Sequence, residues 1–99
     1  MAYSTKRLNK RKVSSDPAVR RRVKLRSNNM CAAWRLYKLN KKYIKCRSRY
    51  KLKIDHMREI RWEGLDIEIN LQALCKTCHE RKTYLNRKYQ NTWTYISFE

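Results

Sequence analysis

Apolar and polar residues alternate in two short stretches of the chain, which is the pattern of β-strands. Within residues 50–57, the side chains of Leu52, Ile54 and His56 fall on one face, and the residues between them fall on the other. Residues 93–98 alternate in the same way. The pattern predicts a strand over 50–57 and either a short strand or a docked tail at 93–98.

Helical spacing is found nearer the N-terminus. Ser15 and Pro17 indicate a helix start, with Ser15 as the N-cap, and Val19 and Val23 then lie one turn apart on one face. We expect this helix to end at residues 28–29, where two asparagines follow each other.

The segment 32–44 is ambiguous between helix and strand. Ala33, Leu36, Asn40 and Tyr43 fit a helical stripe moderately well, so a second helix is expected there.

Another helix is expected in the last third of the chain. Thr77 and Glu80 match a capping box, and the helix should continue to about residue 90 with His79 in its first turn. Residues 61–66 surround the only glycine and predict a loop or hairpin turn.

Composition narrows the possible folds. The 99 residues suffice for one small domain, and the 41% hydrophobic content is typical of globular chains. Gly and Pro each occur once, which excludes glycine-rich phosphate loops and disfavours barrels and sandwiches, since these need many tight turns. No apolar run of about 18 residues and no secretory signal is visible, so we expect a soluble cytoplasmic chain without membrane contact.

The charge of the chain is strongly basic and unevenly distributed. The net charge is +18; residues 1–54 contain nineteen Lys or Arg residues and one acid, Asp16, whereas residues 55–99 contain seven bases and seven acids. Such a high density of positive charge without compensating acids is typical of chains that bind polyanions. A cationic membrane-surface helix is the lesser alternative, because no long amphipathic segment supports it. A nucleic-acid partner is therefore expected.

Four cysteines in a basic intracellular chain favour metal binding over disulfides. Cys75 and Cys78 form a C-x-x-C pair that can bind one Zn²⁺ from a single tight turn, whereas Cys31 and Cys46 are isolated. Bound metal would add folding free energy on the order of 10 kcal/mol to a small core. The alternative, in which a thiol is only a small buried apolar side chain, stays open for Cys31.

The residues with the most specific chemistry lie within 55–82. Asp55-His56 is followed by Asn70-Leu-Gln-Ala-Leu-Cys75-Lys-Thr-Cys78-His79 and then by Glu80-Arg81-Lys82. This series resembles the HNH endonuclease family, whose pattern is D-H, then N-L-Q-x-L-C-x-x-C-H, then x-x-K. The resemblance points towards the small stand-alone members found in phages and mobile elements.

The resemblance implies a ββα-metal (His-Me finger) core, in which a β-hairpin packs on a helix around a divalent metal ion. Asp55 and His79 would hold this ion, and His56 would be the general base for phosphodiester hydrolysis. Asn70 would either ligate the ion or hold the loop that aims His56, and the sequence does not separate these roles. A carboxylate and an imidazole suit such an ion, and an imidazole is half-deprotonated near neutral pH. We expect Mg²⁺ or Mn²⁺, with Zn²⁺ or Ni²⁺ as alternatives.

Two departures from the family pattern affect these expectations. Many members carry a second C-x-x-C before the Asp-His pair, which this chain lacks. We expect Cys31 and Cys46 to be the two halves of that pair, separated by an inserted segment, and to complete a structural zinc site with Cys75 and Cys78; otherwise the site is incomplete. Glu59 stands where the family commonly has proline, which leaves the loop geometry open.

The sequence as a whole predicts an α+β fold with a ββα-metal core, a basic helical N-terminal half and a structural zinc site. The expected organisation is a flexible basic arm (1–14), a basic helical DNA-contacting segment (15–49), an HNH nuclease core (50–91) and a C-terminal tail (92–99). The predicted function is a metal-dependent DNA endonuclease. The alternatives are a zinc-stapled nucleic-acid-binding module without catalysis and a basic RNA-binding protein, neither of which accounts for the Asp-His pair.

Duplex DNA is the expected partner, in a bacterial or phage-infected cell, and the residues do not indicate whether a protein partner is needed. Phosphate contacts should dominate the affinity, so binding should fall steeply with salt. The residues expected to contact phosphates are Arg20, Arg21, Arg22, Lys24, Lys41, Lys42, Arg81 and Lys82.

Overall fold

Two small β-sheets and two α-helices are present in the computed structural model, which describes residues 12–89 and 93–98. The helices are α1 (Pro17–Arg26) and α2 (Lys76–Lys88). The strands are β1 (Trp34–Tyr37), β2 (Lys42–Lys45), β3 (Lys53–His56), β4 (Leu71–Leu74) and β5 (Tyr95–Ser97). Within the described residues, neither helix is long and apolar enough to cross a membrane.

The first sheet has the strand order β2-β1-β5. β1 and β2 form an antiparallel hairpin in which Trp34 is opposite Lys45, and β5 lies parallel to β1 with Tyr95 opposite Trp34. Of the two possibilities predicted for residues 93–98, the strand is the one observed. Residues 95–97 therefore pair with the first sheet, within the range 92–99 that was predicted as a C-terminal tail.

The hairpin corrects the helix predicted over 32–44 and the helical N-terminal half. The apparent helical stripe crosses a turn in which Lys41 adopts a left-handed φ of 53°. Trp34, Tyr43 and Ile44 have aromatic or branched side chains that favour strands, and β5 supplies a pairing partner from far along the chain. Tertiary pairing therefore decides the conformation, and the helix of this half is limited to Pro17–Arg26.

The second sheet consists of β3 and β4, which pair antiparallel. Asp55 is opposite Gln72, and His56 is opposite Leu71. The strand predicted over 50–57 is confirmed, although it is shorter. β4 leads directly into α2 through Cys75, so the three elements follow one another in the order strand, strand, helix.

Both helix starts differ from the caps that the sequence suggested. Asp16, rather than Ser15, is the N-cap of α1, and its side chain accepts a hydrogen bond from the backbone N–H of Ala18 at 2.9 Å. Cys75, rather than Thr77, caps α2, and its sulfur accepts from the backbone N–H of Cys78 at 3.5 Å. The earlier start of α2 follows from the direct connection to β4.

The helix α1 packs on the second sheet. Its buried residues Val19 and Val23 form a cluster with Leu71, and Ile54 and Val13 pack against this cluster. The predicted apolar face of α1 is therefore confirmed. Val13 also lies in a 3-10 turn at Val13–Ser15, so the end of the predicted flexible arm (1–14) is ordered, while its residues 1–11 lie outside the described part of the chain.

The connection between β3 and β4 is a folded loop over residues 57–70. Glu63 adopts a left-handed φ of 68°, and Gly64 donates its backbone N–H to the carbonyl oxygen of Glu59 at 2.9 Å. A Cβ atom on Gly64 would lie 1.8 Å from the carbonyl oxygen of Arg58. Only glycine therefore fits this position without moving the backbone.

Candidate functional site

Asp55 and His79 face each other where β3 meets α2. Asp55 lies near the end of β3, and His79 lies in the first turn of α2. The Oδ1 atom of Asp55 is 3.7 Å from the Nε2 atom of His79, and the two side chains are 11% and 32% exposed. The structure therefore brings these two residues together, with the imidazole being the more accessible side chain.

The second oxygen of Asp55 is held by two protein donors. The Nζ atom of Lys82 is 2.8 Å from Oδ2, and the Nε2 atom of Gln72 is 3.2 Å from the same oxygen. These contacts fix the orientation of the carboxylate and leave Oδ1 directed towards His79. A cation between Asp55 and His79 would therefore meet one carboxylate oxygen and one imidazole nitrogen, which are suitable ligands for a divalent metal ion.

Lys82 is a buried support of this site, so its predicted contact with nucleic acid is wrong. Its side chain is 1% exposed, and its ammonium also donates to the carbonyl oxygen of His56 at 2.7 Å. Lys82 lies three residues after His79 and therefore shares a helix face with it, pointing towards β3. Adjacent helix residues point in different directions, which is why Arg81 does not share this environment.

Gln72 is a site residue that the sequence analysis did not single out. It is 1% exposed, its amide nitrogen also donates to the carbonyl oxygen of Trp93, and its amide oxygen accepts from the Thr94 hydroxyl at 3.1 Å. The segment before β5 therefore supports Asp55 through Gln72. The available signal was a single polar residue in the otherwise apolar run Leu71–Leu74.

His56 is held by an acid that the sequence analysis also missed. Its Nε2 atom is 2.8 Å from Oδ1 of Asp66, and the backbone N–H groups of Val13 and Ser14 donate to the same carboxylate at 2.8 and 3.2 Å. Partial burial alone would raise the pKa of Asp66, but the hydrogen bonds from His56, Ser14 and Val13 hold it below its ordinary value. No spacing rule connects Asp66 with His56, because only the folded loop brings them together.

The side chain of Asn70 stabilises the loop over residues 57–70 through hydrogen bonds to the backbone of that loop. Its side-chain oxygen accepts from the N–H of Arg58 at 3.0 Å. Its NH₂ group donates to the carbonyl oxygens of Arg58 and Leu65 at 3.0 and 2.8 Å. Both ends of the side-chain amide are engaged in this way, so the geometry favours the loop-holding role of Asn70 over direct metal ligation.

A cluster of four thiols lies at the other end of β4. The ligand atoms of this cysteine cluster all lie within 4.8 Å of one another, and its members are Cys31, Cys46, Cys75 and Cys78. Among the residues that the structure describes, it is the only group of three or more His, Cys, Asp or Glu side chains able to hold a metal ion. The isolated cysteines are therefore brought to the C-x-x-C pair.

The β1–β2 hairpin explains how two distant cysteines meet. The backbone N–H of Cys31 donates to Ser48 at 2.7 Å, and that of Cys46 donates to Ala33 at 3.0 Å. These bonds extend the hairpin ladder beyond its strands, so both cysteines lie at its open end. The inserted segment expected between the two halves of the pair is this hairpin.

The cysteine cluster is part of the larger apolar core. Cys31 and Cys78 are fully buried and pack with Leu74, Leu85 and Ile96. Hydrogen bonding with Cys78 lowers the pKa of the Cys31 thiol to about 5, and the same bond together with burial raises the pKa of Cys78. The cluster can therefore hold thiolate, which is the form that binds metal.

The other basic residues predicted to contact phosphates differ in accessibility. Arg22 makes two hydrogen bonds to Glu68, at 2.8 and 3.0 Å, and Arg20 donates to the carbonyl oxygen of Ser14. Arg81 donates to a β5 carbonyl oxygen, and Lys24 is half-buried. The members of the predicted set that are exposed are Arg21, Arg22, Lys41 and Lys42.

These features define a small α+β domain in which an oriented Asp–His pair lies beside a thiol cluster that could hold a metal ion. Residues 43–85 match the HNH endonuclease family, which supports membership of that family. The family identification made from residues 55–82 is therefore confirmed.

A phage protein supports the same family. Over 51 residues the chain is 43% identical to a "Probable HNH endonuclease" of Lactococcus phage SK1, and the alignment covers 43% of this chain and 54% of the phage protein. The chain thus spans about half the length of this curated relative. No solved structure matches the chain.

Proposed function

We propose that this protein is a metal-dependent HNH endonuclease that hydrolyses phosphodiester bonds in DNA, with β3, β4 and α2 as its ββα-metal core. The observation that carries the proposal is that the two oxygens of the Asp55 carboxylate face different partners. Oδ2 is bound by Lys82, while Oδ1 lies 3.7 Å from His79. The family match over residues 43–85 supports a nuclease function for this arrangement.

Asp55 and His79 would hold the catalytic divalent ion. A carboxylate oxygen and one imidazole suit Mg²⁺ or Mn²⁺, and so small a set of protein ligands leaves room for water and a phosphate oxygen. When bound, such an ion supplies charge stabilisation for the phosphoryl oxygens and the leaving oxygen. Gln72 and Lys82 keep the Asp55 carboxylate in place and therefore need not touch DNA themselves.

His56 would be the general base. Its side chain is 22% exposed, so water can reach the imidazole, and a neutral imidazole accepts a proton near neutral pH. The water that loses this proton attacks the phosphorus. Asn70 contributes by holding the loop that follows His56, through its bonds to Arg58 and Leu65.

The cysteine cluster would bind a structural Zn²⁺. Four thiolates at about 2.3 Å from a tetrahedral zinc ion stand about 3.8 Å apart. The Sγ atoms of Cys46 and Cys75 are 3.7 Å apart, which matches that edge. Because the cluster connects the β1–β2 hairpin to the start of α2, the ion would join the two sheets and hold His79 in position.

Duplex DNA would be held mainly through its phosphates. Residues 1–54 carry the whole net charge of +18, and the exposed Lys41 and Lys42 lie at the turn of the β1–β2 hairpin. Contacts of this kind carry no sequence information by themselves, so we expect a weak sequence preference.

Cleavage of supercoiled plasmid DNA tests the proposal. Wild type and His56→Ala are compared with Mg²⁺, with Mn²⁺, and in buffer stripped of divalent cations. Stripping is preferable to EDTA, because EDTA would also remove metal from the cysteine cluster. We expect metal-dependent nicking or linearisation by the wild type, and a loss of about 10²-fold or more in His56→Ala.

Ile69→Ala is the matched control, since Ile69 belongs to the same loop and is 78% exposed. It should cut at the wild-type rate. Equal cutting by His56→Ala would reject His56 as the base. Tight plasmid binding without cutting in any metal would instead favour the non-catalytic binding module.

A further inference from the structure

The loop acid Asp66 joins three separate parts of the chain. Its Oδ1 atom lies 2.8 Å from Nε2 of His56, and its carboxylate also accepts the backbone N–H groups of Val13 and Ser14. We propose that Asp66 is a positioning residue that fixes the ring orientation and the tautomer of His56. This inference rests on the proposed function, in which His56 is the general base.

The tautomer follows from the chemistry of the pair. An ionised carboxylate has no proton to donate, so a hydrogen bond to a neutral imidazole requires the proton on Nε2. The lone pair of His56 is then on Nδ1. Within residues 12–89 and 93–98, the hydrogen bond of the His56 ring is the one between Nε2 and Asp66, and Nδ1 is not engaged in it. Asp66 therefore leaves Nδ1 as the nitrogen that can accept a proton from water.

Asp66 is itself held firmly, which a positioning role requires. The Asn70 side chain binds the carbonyl oxygen of Leu65, the residue before Asp66. Gly64, one residue further back, makes a close backbone approach to Arg58. The Val13 N–H donates to Oδ2 and the Ser14 N–H to Oδ1, so each carboxylate oxygen is bonded to the segment before α1.

A second interpretation gives Asp66 only a structural role. The carboxylate could simply anchor the residues before α1, with His56 as one more donor. The two roles predict different results, because an anchor affects stability alone, whereas a positioning residue also determines which imidazole nitrogen carries the proton. The tautomer of His56 is therefore the decisive observable.

Nitrogen NMR of the full-length protein measures this tautomer directly. The chain has two histidines, so ¹⁵N-histidine labelling gives two ring systems, which His79→Ala assigns. We expect wild-type His56 to be protonated on Nε2 when neutral. In Asp66→Asn the side-chain amide can donate to Nε2, so the population of the Nδ1–H tautomer should rise. On plasmid DNA with Mn²⁺, kcat should fall about 10- to 100-fold, with KM changed less than about threefold.

Further variants distinguish a role of Asp66 in positioning His56 from a role in anchoring the residues before α1. Val13→Pro removes one N–H donor to Asp66 but keeps the carboxylate, so it should retain the wild-type tautomer even where it lowers thermal stability. Glu63→Gln removes an acid from the same loop without touching His56 and should keep both tautomer and rate. If Asp66→Asn does not fold, Asp66→Glu keeps a carboxylate in its place and should keep Nε2 protonated.

The outcomes are distinct from those of the plasmid assay. A wild-type His56 protonated on Nδ1, or an unchanged tautomer with unchanged kcat in Asp66→Asn, would overturn the positioning role even for an active nuclease. A wild type that never cuts DNA would defeat the proposed function. The tautomer measurement would still show whether Asp66 sets the protonated nitrogen of His56.

Discussion

Lys82 and Asp55 form a buried ion pair, with the Nζ atom 2.8 Å from Oδ2 and the lysine side chain 1% exposed. A buried lysine is stable only where its charge is matched, and the loss of one partner leaves the other charge uncompensated. The pair therefore couples the stability of the domain to the orientation of the Asp55 carboxylate, the proposed ligand of the divalent ion.

Replacing Lys82 with methionine should destabilise the protein and make it more dependent on divalent cations. We expect Lys82→Met to lose about 3 kcal/mol of unfolding free energy in buffer stripped of divalent cations, because Asp55 loses its positive partner. Added Mg²⁺ should restore part of the loss. Urea unfolding with and without Mg²⁺ measures both effects.

Lys76→Met is the control for this experiment. Lys76 lies on the same helix but pairs with the exposed Glu80, so its removal should change stability little. If Lys82→Met loses no more unfolding free energy than Lys76→Met, the buried pair is unimportant for stability.

Serine at any position of the cysteine cluster should reduce metal content and stability together. We expect a single Zn²⁺ per chain in the wild type and much less in Cys46→Ser, which removes a ligand of the inserted hairpin. The melting temperature should fall by about 15 °C or more, for a loss of roughly 3 kcal/mol. Metal analysis and thermal unfolding test this, with Ser48→Ala as the control. Full zinc content in Cys46→Ser would mean that the site does not use Cys46.

Alanine at position 64 should disturb the loop that carries Asp66 and Asn70. The added Cβ would meet the Arg58 carbonyl oxygen at 1.8 Å, so the backbone must move. We expect Gly64→Ala to lower both the melting temperature and plasmid cleavage, the latter about tenfold or more, since His56 depends on this loop. Glu63→Gly, at a residue with φ of 68°, should be tolerated. Wild-type activity in Gly64→Ala would show that the loop geometry is not critical.

Removal of the exposed lysines at the hairpin turn should weaken DNA binding without regard to sequence. Each lost phosphate contact should reduce the slope of log K against log salt by about 0.9. Fluorescence anisotropy with Lys41→Ala, Lys42→Ala and two unrelated duplexes measures this slope. Lys88→Ala removes the same charge from the end of α2 and should have a smaller effect. Equal effects at all three positions would indicate that charge alone, and not its location, governs binding.

The ionisation of Asp66 should make the unfolding free energy depend on pH. Hydrogen bonding lowers the pKa of Asp66 below its ordinary value of 3.8, so the folded state favours the ionised form. Its contribution is fully present above the pKa of the unfolded chain and is lost as pH falls below about 4. The stability difference between wild type and Asp66→Asn should therefore shrink between pH 5 and pH 3. Urea unfolding across that range tests this, and a difference that grows instead would contradict it.

The sequence predicted those features that depend on local patterns. The valine face of α1, the alternating strand that carries Asp55 and His56, and the C-x-x-C turn all follow from short-range spacing. The family pattern then located the residues of the site, although the Asp–His pairing itself is seen only in the structure.

What the sequence did not predict depends on distant contacts. The segment 32–44 becomes a hairpin because β5 pairs with it. The spacing of apolar residues within 32–44 carries no information about this distant pairing. Asp66 reaches His56 only through a folded loop, and Lys82 turns inward because Asp55 compensates its charge. Its charge alone suggested a surface position for Lys82. Whether a lysine is buried or exposed depends on whether the fold supplies a partner for its charge, and the sequence pattern did not show that partner.

The place of Ile96 in the chain affects when the domain can fold during synthesis. Ile96 is fully buried against the cysteine cluster, in a strand that pairs with β1 some sixty residues earlier. A nascent chain that has not reached this residue lacks both a sheet edge and a central core side chain. The ribosome must therefore have reached Ile96 before the domain can close, because the first sheet and the core around the cysteine cluster are incomplete until then.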